Sequence, residues 1–315
     1  MKKSSRETIF AGLEIGGSKL QLVAGDGQGR ILERRRLKVA AEKGGAEIRA
    51  QIEASLAEMT RRHRPRAMGV GFGGPVDWRT GKVWRSHQVE GWSGFELGSW
   101  LSELTGLPAR VDNDANVAAL GEALFGAGRG RDPFFYVTLG SGVGGGLVIE
   151  GRIYHGICPG ESEIGHLRLN RRGTLVESRC SGWAVDRRIR MAARRRKNGA
   201  LARLAARHPG AEAACLPQAL AAGDPDARRI LEETAEDLAF ALSHVAHLFH
   251  PAAMVLGGGL SLIGQPLRRA VAQRLPGFLM EVFQPGPQIL LSELREDAVP
   301  MGALALAASA GAPAR

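Results

Sequence analysis

The sequence predicts an α/β protein made of two lobes that repeat one topology. Three observations carry that expectation. The chain has 315 residues, room for about two domains of 100 to 200 residues each. Its two halves run through one order of elements: strand, glycine turn, strand, turn, strand, then a helix and a strand that ends in glycines. The glycine clusters also fall at matching places, Gly16-Gly17 and Gly73-Gly74 in the first half, 140–146 and Gly257-Gly258-Gly259 in the second.

In the first half, the apolar pattern predicts a strand over 9–15, a tight turn at Gly16-Gly17-Ser18, a second strand over 19–24, an Asp26-Gly27 turn and a third strand over 30–39. Ile48, Ile52, Leu56 and Met59 recur at helical spacing and predict a helix over 46–62. Residues 68–72 read as a strand running into Gly73-Gly74-Pro75. A short helix ends at 100–104, a strand follows at 108–111, and 114–125 reads as a helix closed by Gly126 and Gly128. In the second half, 134–139 is a strand, 140–146 a glycine loop, and 147–150 and 152–154 two strands around a Glu150-Gly151 turn. A helical region follows, then a long helix over 227–248 and a strand over 252–256. The expected division is an N-terminal lobe of residues 1–117 and a C-terminal lobe of 118–297, with a last helix over 298–315 returning to the first.

Composition excludes several classes. Hydrophobic residues make up 44% and charged residues 23%, the balance of a globular protein that buries a core. The net charge is +10, and 151–200 holds 12 Lys/Arg against 4 Asp/Glu. Such a segment could meet phosphate or nucleic acid; since 35 of the 42 basic residues are arginine, it reads here as a solvated face. Cys158, Cys180 and Cys215 lack any C-x-x-C pairing and indicate neither a disulfide framework nor a thiolate metal site. No apolar run follows Lys2, Lys3 and Arg6, so no signal peptide is read and the expected location is cytoplasmic. The most apolar stretch, 238–256, is interrupted by His244, His247, His250 and Pro251, against a membrane span. Those three histidines share one helical face, which reads as packing rather than as a metal site.

Four segments carry candidate chemistry. The glycine turns at Gly16-Gly17-Ser18 and 140–145 would let backbone N–H groups approach phosphate oxygens without a Cβ in the way. Neither has the lysine-bearing phosphate-loop pattern nor opens a helix in the dinucleotide-binding manner. Asp112-Asn113-Asp114-Ala115-Asn116 follows a strand and opens a helix. It is either a helix cap or, being more polar than a cap needs, a catalytic segment at a strand's carboxyl end. Glu161-Ser162-Glu163-Ile164-Gly165-His166 and Glu177 supply carboxylates and an imidazole. They suit a polyhydroxylated ligand or, alternatively, a solvated loop.

Taken together these segments resemble the ROK family of sugar kinases and sugar-responsive repressors, of the actin, sugar kinase and heat-shock chaperone ATPase superfamily. The resemblance rests on 13–19 and 138–146 as two phosphate motifs, 71–77 as a G-x-G-x-P-G-like segment and 111–116 as an N-D-A-N segment. Glu163-Ile164-Gly165-His166 matches an E-I-G-H sugar segment, and 256–261 the adenosine-side glycines. It implies a duplicated actin-like ATPase (ribonuclease H-like) fold with a nucleotide and sugar cleft between the lobes. It implies ATP-dependent phosphorylation of a hexose, glucose or a close relative first and fructose second. Asp114 would be the base facing the acceptor hydroxyl, and Gly74, Asn113, Glu163, His166 and Glu177 would hold the sugar. Glu14, Gly16, Gly17, Ser18, Lys19, Thr138, Gly140, Ser141, Gly142, Gly257, Gly258 and Gly259 would serve Mg-ATP. Glu177 lies outside every phosphate loop, so its substitution by Gln is expected to raise KM for the sugar far more than for ATP.

Two departures qualify the implied set. Glu14 stands where the family has aspartate, and the family's zinc-binding cysteines after E-I-G-H are replaced by Arg171-Arg172-Gly173-Thr174-Leu175-Val176. ATP and Mg2+ are therefore the expected cofactors, with no structural zinc. The expected partners are a hexose and, as an assembly, a homodimer, with no membrane or nucleic acid. The alternative reading is a sugar-sensing ROK protein without catalysis; about ten residues precede the first strand, too few for a helix-turn-helix.

Overall fold

The computed structural model describes residues 8–17, 19–39, 44–86 and 89–310, and it forms two compact units. The first holds residues 8–129, 146–161 and 296–310 among those described. Its sheet begins with β1 (Ile9–Ile15), β2 (Leu20–Asp26) and β3 (Ile31–Leu37), an antiparallel meander. Then come α1 (Gly44–His63), β4 (Met68–Phe72), the small ribbon β5 (Val76–Asp77) and β6 (Lys82–Val83), α2 (Leu97–Thr105), β7 (Ala109–Asn113) and α3 (Asp114–Phe125). The strand order is β3-β2-β1-β4-β7, with β4 parallel to both β1 and β7. Leu13, Ile15, Leu22, Val70 and Phe72 pack with Ile48, Ile52, Leu56 and Met59 of α1, all buried. The spacing of those four helix residues is what lays α1 on the sheet, each buried side chain contributing about 1.5–3 kcal/mol.

The second unit, residues 130–145 and 162–295, holds β8 (Phe134–Leu139), the first residues of β9 (Val143–Ile149), whose remainder counts with β10 (Arg152–Ile153) to the first unit, and a helical stretch. That stretch is α4 (Val176–Cys180), α5 (Gly182–Arg195), α6 (Ala200–Ala205), α7 (Leu216–Ala221) and the long α8 (Pro225–Phe249). β11 (Ala253–Gly257), α9 (Gln265–Arg274) and β12 (Gln288–Leu291) complete it, and α10 (Ala298–Ser309) belongs to the first unit. The second sheet runs β10-β9-β8-β11-β12, with β11 parallel to β8 and β12. It repeats the first sheet strand for strand, an antiparallel meander extended by two parallel strands.

Two expectations shift. The division expected after residue 117 would cut α3, but the buried Val117 and Leu120 of that helix pack with Ala303 and Leu306 of α10. Residues 118–129 stay with the first unit, as do 146–161, whose β10 lies against α3. The glycine loop expected over 140–146 is shorter, because β9 begins at Val143 and takes Gly144 to Gly146 into the strand. The return of α10 depends on glycines at its contacts: a Cβ on Gly302 would strike the Val117 carbonyl, and one on Gly69 the Ala303 carbonyl. Among the described residues no helix is long and apolar enough to cross a membrane.

Candidate active site

In the first unit the parallel register sets the site. Ile15 pairs with Phe72, and Phe72 with Asn113, so the residues that follow, Gly16, Gly73 and Asp114, leave the sheet on one edge. This is the carboxyl edge, where ligands bind in open α/β sheets. The Gly73 N–H bonds to the Ile15 carbonyl at 2.7 Å. A Cβ on Gly73 would sit 3.3 Å from the Gly16 Cα and 3.4 Å from Asp114 Oδ2, so a side chain there would crowd both the first turn and Asp114. Gly16 closes its turn by donating to the Lys19 carbonyl at 2.7 Å; Ser18 lies outside the described residues. Lys19 is exposed, its Nζ 3.9 Å from Glu296.

Glu14 sits one residue before that edge, on the strand face opposite Leu13 and Ile15. It is buried and takes a hydrogen bond from the Gln21 amide. Burial pushes its carboxyl above the ordinary value, against the opposing pull of Gln21. Asn113 is the cap of α3: Oδ1 accepts from Ala115 N at 2.9 Å and Asn116 N at 3.3 Å, while Nδ2 donates to the Gly74 carbonyl at 3.2 Å. Asp114 is thereby the first helical residue, half-buried, with the cap supplied by its neighbour. Under this corner lies a polar cluster that the motif reading missed. Buried Asp112 accepts from Asn113 N at 2.8 Å and Asn116 Nδ2 at 3.0 Å through Oδ1, and its Oδ2 meets His155 Nε2 at 2.6 Å. Nearby in the same unit Glu161 accepts from Val76 N at 3.0 Å.

The second unit holds the other candidates. Thr138 pairs with Gly257 at the ends of β8 and β11, and Gly258, with φ of 75°, would drive a Cβ into the backbone of Leu139. Glycine is required there on both counts. Gly259 follows it into a short 3-10 turn. Gly140, Ser141 and Gly142 form the open part of the second glycine loop, closed by Gly140 N on the Gly142 carbonyl at 3.0 Å. Glu163 and His166 flank a 3-10 turn over Ile164–His166; both are exposed, their carboxylate and ring 4.0 Å apart. The Gly165 between them lies against the Val143 carbonyl. Glu177 stands in the first turn of α4.

One expectation is corrected here. Glu177 is not clear of the phosphate loops: its Oε2 accepts the Val143 N–H at 2.9 Å and would meet any Cβ placed on Gly142. The two residues are 34 apart in sequence, and the hairpin marked by the Arg168–Leu175 bridge and the Val176 N to Leu167 O bond brings them together. His244, His247 and His250 are taken up in packing, on Phe240, Phe283 and Phe283 respectively. Three arginines of α5 are engaged within the unit, Arg187 on the Ser178 carbonyl, Arg188 on Thr234 and the Arg179 carbonyl, and Arg190 on Glu212.

The family model described as ROK family matches residues 10–310. The chain belongs to the ROK family. It is 30% identical over 307 residues to a glucokinase of Halalkalibacterium halodurans, covering 93% of each chain. It is 28% identical over 303 residues to a glucokinase of Thermotoga maritima, covering 94% of this chain and 96% of that one. Among solved structures, a ROK family glucokinase from Streptomyces griseus in complex with glucose and AMPPNP superposes with a TM-score of 0.83 at 30% identity, over 96% of this chain and 99% of that one. The actin-like fold implied by the sequence motifs is the fold of this ROK protein, and its class is that of a sugar kinase.

Proposed function

We propose that the protein transfers the γ-phosphoryl group of ATP to a hydroxyl of a hexose, glucose before its epimers, with Asp114 accepting the hydroxyl proton. The observation that carries this is the alignment of Gly16, Gly73 and Asp114 on one sheet edge, so close that a Cβ placed on Gly73 would lie 3.3 Å from the Gly16 Cα and 3.4 Å from Asp114 Oδ2. The named glucokinases among its relatives, and the glucose and AMPPNP in the Streptomyces griseus structure, support it.

Phosphoryl transfer needs positioning and charge neutralisation more than covalent participation by the protein. In this reading the acceptor oxygen attacks the γ-phosphorus, its proton passes to the Asp114 carboxylate, and ADP leaves. At the first position of α3, a carboxylate is favoured by the helix dipole, which suits orienting the hydroxyl and taking its proton late. Glu163, His166 and Glu177 would take sugar hydroxyls in charge-assisted hydrogen bonds, and Asn113 and Gly74 would present the backbone beside Asp114. The backbone of Gly140, Ser141 and Gly142 would serve the phosphates, and Gly257, Gly258 and Gly259 the nucleoside side.

Among the described residues no three His, Cys, Asp or Glu side chains gather as a metal site. Mg2+ is commonly held by one or two carboxylates plus substrate phosphate oxygens, and the Glu14 carboxylate, one residue before the first glycine turn, is the group here that would help hold it. When bound, the ion would neutralise charge developing on the phosphates. ADP release measured across a panel of hexoses tests the proposal: turnover should require sugar and favour glucose over each epimer. Hexose-independent ATP hydrolysis, or sugar binding without ADP release, would count against it.

A further inference from the structure

At the corner that carries Asn113 and Asp114, Asp112, Asn116 and His155 make a set of polar contacts to which the proposed chemistry gives no role. Asp112 is 2% exposed and Asn116 fully buried. One carboxylate oxygen of Asp112 is occupied by the Asn113 N–H and the Asn116 amide, the other by the imidazole of His155. A carboxylate only accepts, so the bonded Nε2 is the ring nitrogen that carries a proton. The His155 ring lies flat against Trp78, centroids 4.2 Å apart and planes 15° from parallel, which holds it against rotation. All of these residues belong to the first unit.

We infer that His155 and Asp112 form a positioning pair that fixes the strand-to-helix corner on which Asp114 stands. Three consecutive features of that corner depend on it. The Asn113 N–H is held by Asp112, the Ala115 and Asn116 N–H groups by Asn113, and the Asn116 side chain returns to Asp112. Each bond restricts the backbone on one side of Asp114 or the other, so the direction of its carboxylate follows from the cluster. Without His155 a buried carboxylate oxygen loses its donor, and the least costly response is for Asp112 to turn toward solvent and release the Asn113 N–H. His155 touches no atom assigned to substrate; it acts through Asp112.

The inference rests on the reading of Asp114 as the proton acceptor, and the test separates the two. His155→Phe keeps a ring to stack on Trp78 and removes the N–H donor; His155→Gln restores a donor. The measurements are kcat, KM for glucose and for ATP, and amide hydrogen exchange over 109–117 on the full chain. Folded His155→Phe should lose about tenfold in kcat and gain in glucose KM, with ATP KM changed by less than about twofold, the pattern of a displaced catalytic group. Exchange over 109–117 should quicken, and His155→Gln should recover most of both effects. A packing role alone would lower the melting temperature and leave kcat of the folded enzyme and the exchange at the corner unchanged, which would overturn the inference. So would a His155→Gln no better than His155→Phe. Should His155→Phe fail to fold, Trp78→Leu frees the imidazole without deleting it and should lower kcat about threefold with the same exchange signature; unchanged kcat and exchange would overturn the pair. Failure of the Asp114 reading is visible separately, as turnover retained by Asp114→Asn, while the exchange over 109–117 still reports whether His155 holds the corner.

Discussion

The Glu177 carboxylate accepts the Val143 N–H at 2.9 Å, at the point where the second glycine loop becomes strand β9. A residue read as a sugar ligand is therefore also a support of the loop proposed to hold phosphate. Glu177→Gln keeps an acceptor for Val143 but loses its charge, and Glu177→Ala removes both. The expected outcome is that Glu177→Ala raises KM for glucose and for ATP together, while His166→Ala raises KM for glucose alone, each by about 10- to 100-fold, the worth of a lost charge-assisted bond. Steady-state kinetics with each substrate varied checks this, and an Ala variant at 177 with unchanged ATP KM would contradict it.

Glu14 yields a pH prediction. Its folded-state carboxyl is raised by burial, so in the window above the ordinary glutamate value the folded protein holds a proton that the unfolded chain has released. Stability contributed by this group is then greatest below the ordinary value and falls as pH rises through the raised one. Glu14→Gln removes that loss while keeping an acceptor for Gln21. Its melting temperature should exceed that of the wild type at neutral pH, with the difference closing under acid conditions. Turnover should fall if Glu14 serves Mg-ATP, which thermal melts and ADP release at matched pH would separate.

The two-lobed topology was legible in the sequence because it rests on periodicity and on glycines. β1, α3 and β8 were expected over the residues they occupy, since each is bounded by a turn glycine or a cap. The Asp112–Asn116 corner was legible as polar chemistry, but not its division of labour: that Asn113 caps, that Asp112 turns inward and that His155 meets it. That contact joins residues 43 apart and no local pattern signals it. The Glu177–Val143 bond was hidden for the same reason. The start of β9 was misplaced because Gly144, Gly145 and Gly146 read as loop, whereas close packing calls for glycine inside that strand, a Cβ on Gly145 meeting the Ser162 carbonyl at 2.6 Å.

Zinc is expected to be absent from the purified protein. A structural zinc site takes about four ligands, and the segment after His166 supplies Arg171 to Val176 where the family has cysteines. In their place Asn170 closes a turn, accepting from Arg172 N at 3.0 Å and donating to Thr174 Oγ1 at 3.0 Å. Elemental analysis should find far less than one zinc per chain, and EDTA should leave the melting temperature where it was. Stoichiometric zinc would contradict both statements.

The seat of α10 is a stability prediction. Gly302→Val places branched carbons where a Cβ would already strike the Val117 carbonyl, a backbone atom that cannot yield alone. The cost should be about 1–3 kcal/mol or more, the range for overpacking a close-packed contact, read as a lower urea midpoint. A midpoint equal to that of the wild type would mean that α10 can shift without loss.

The assignment of Asp114 is tested most directly by sugar-dependent ADP release from Asp114→Asn beside the wild type, with glucose affinity followed by calorimetry. The folded variant should bind glucose about as tightly as the wild type and turn over roughly 10² or more times slower, the scale of a positioned acid-base group. Turnover within about tenfold of the wild type by the same measure would contradict it.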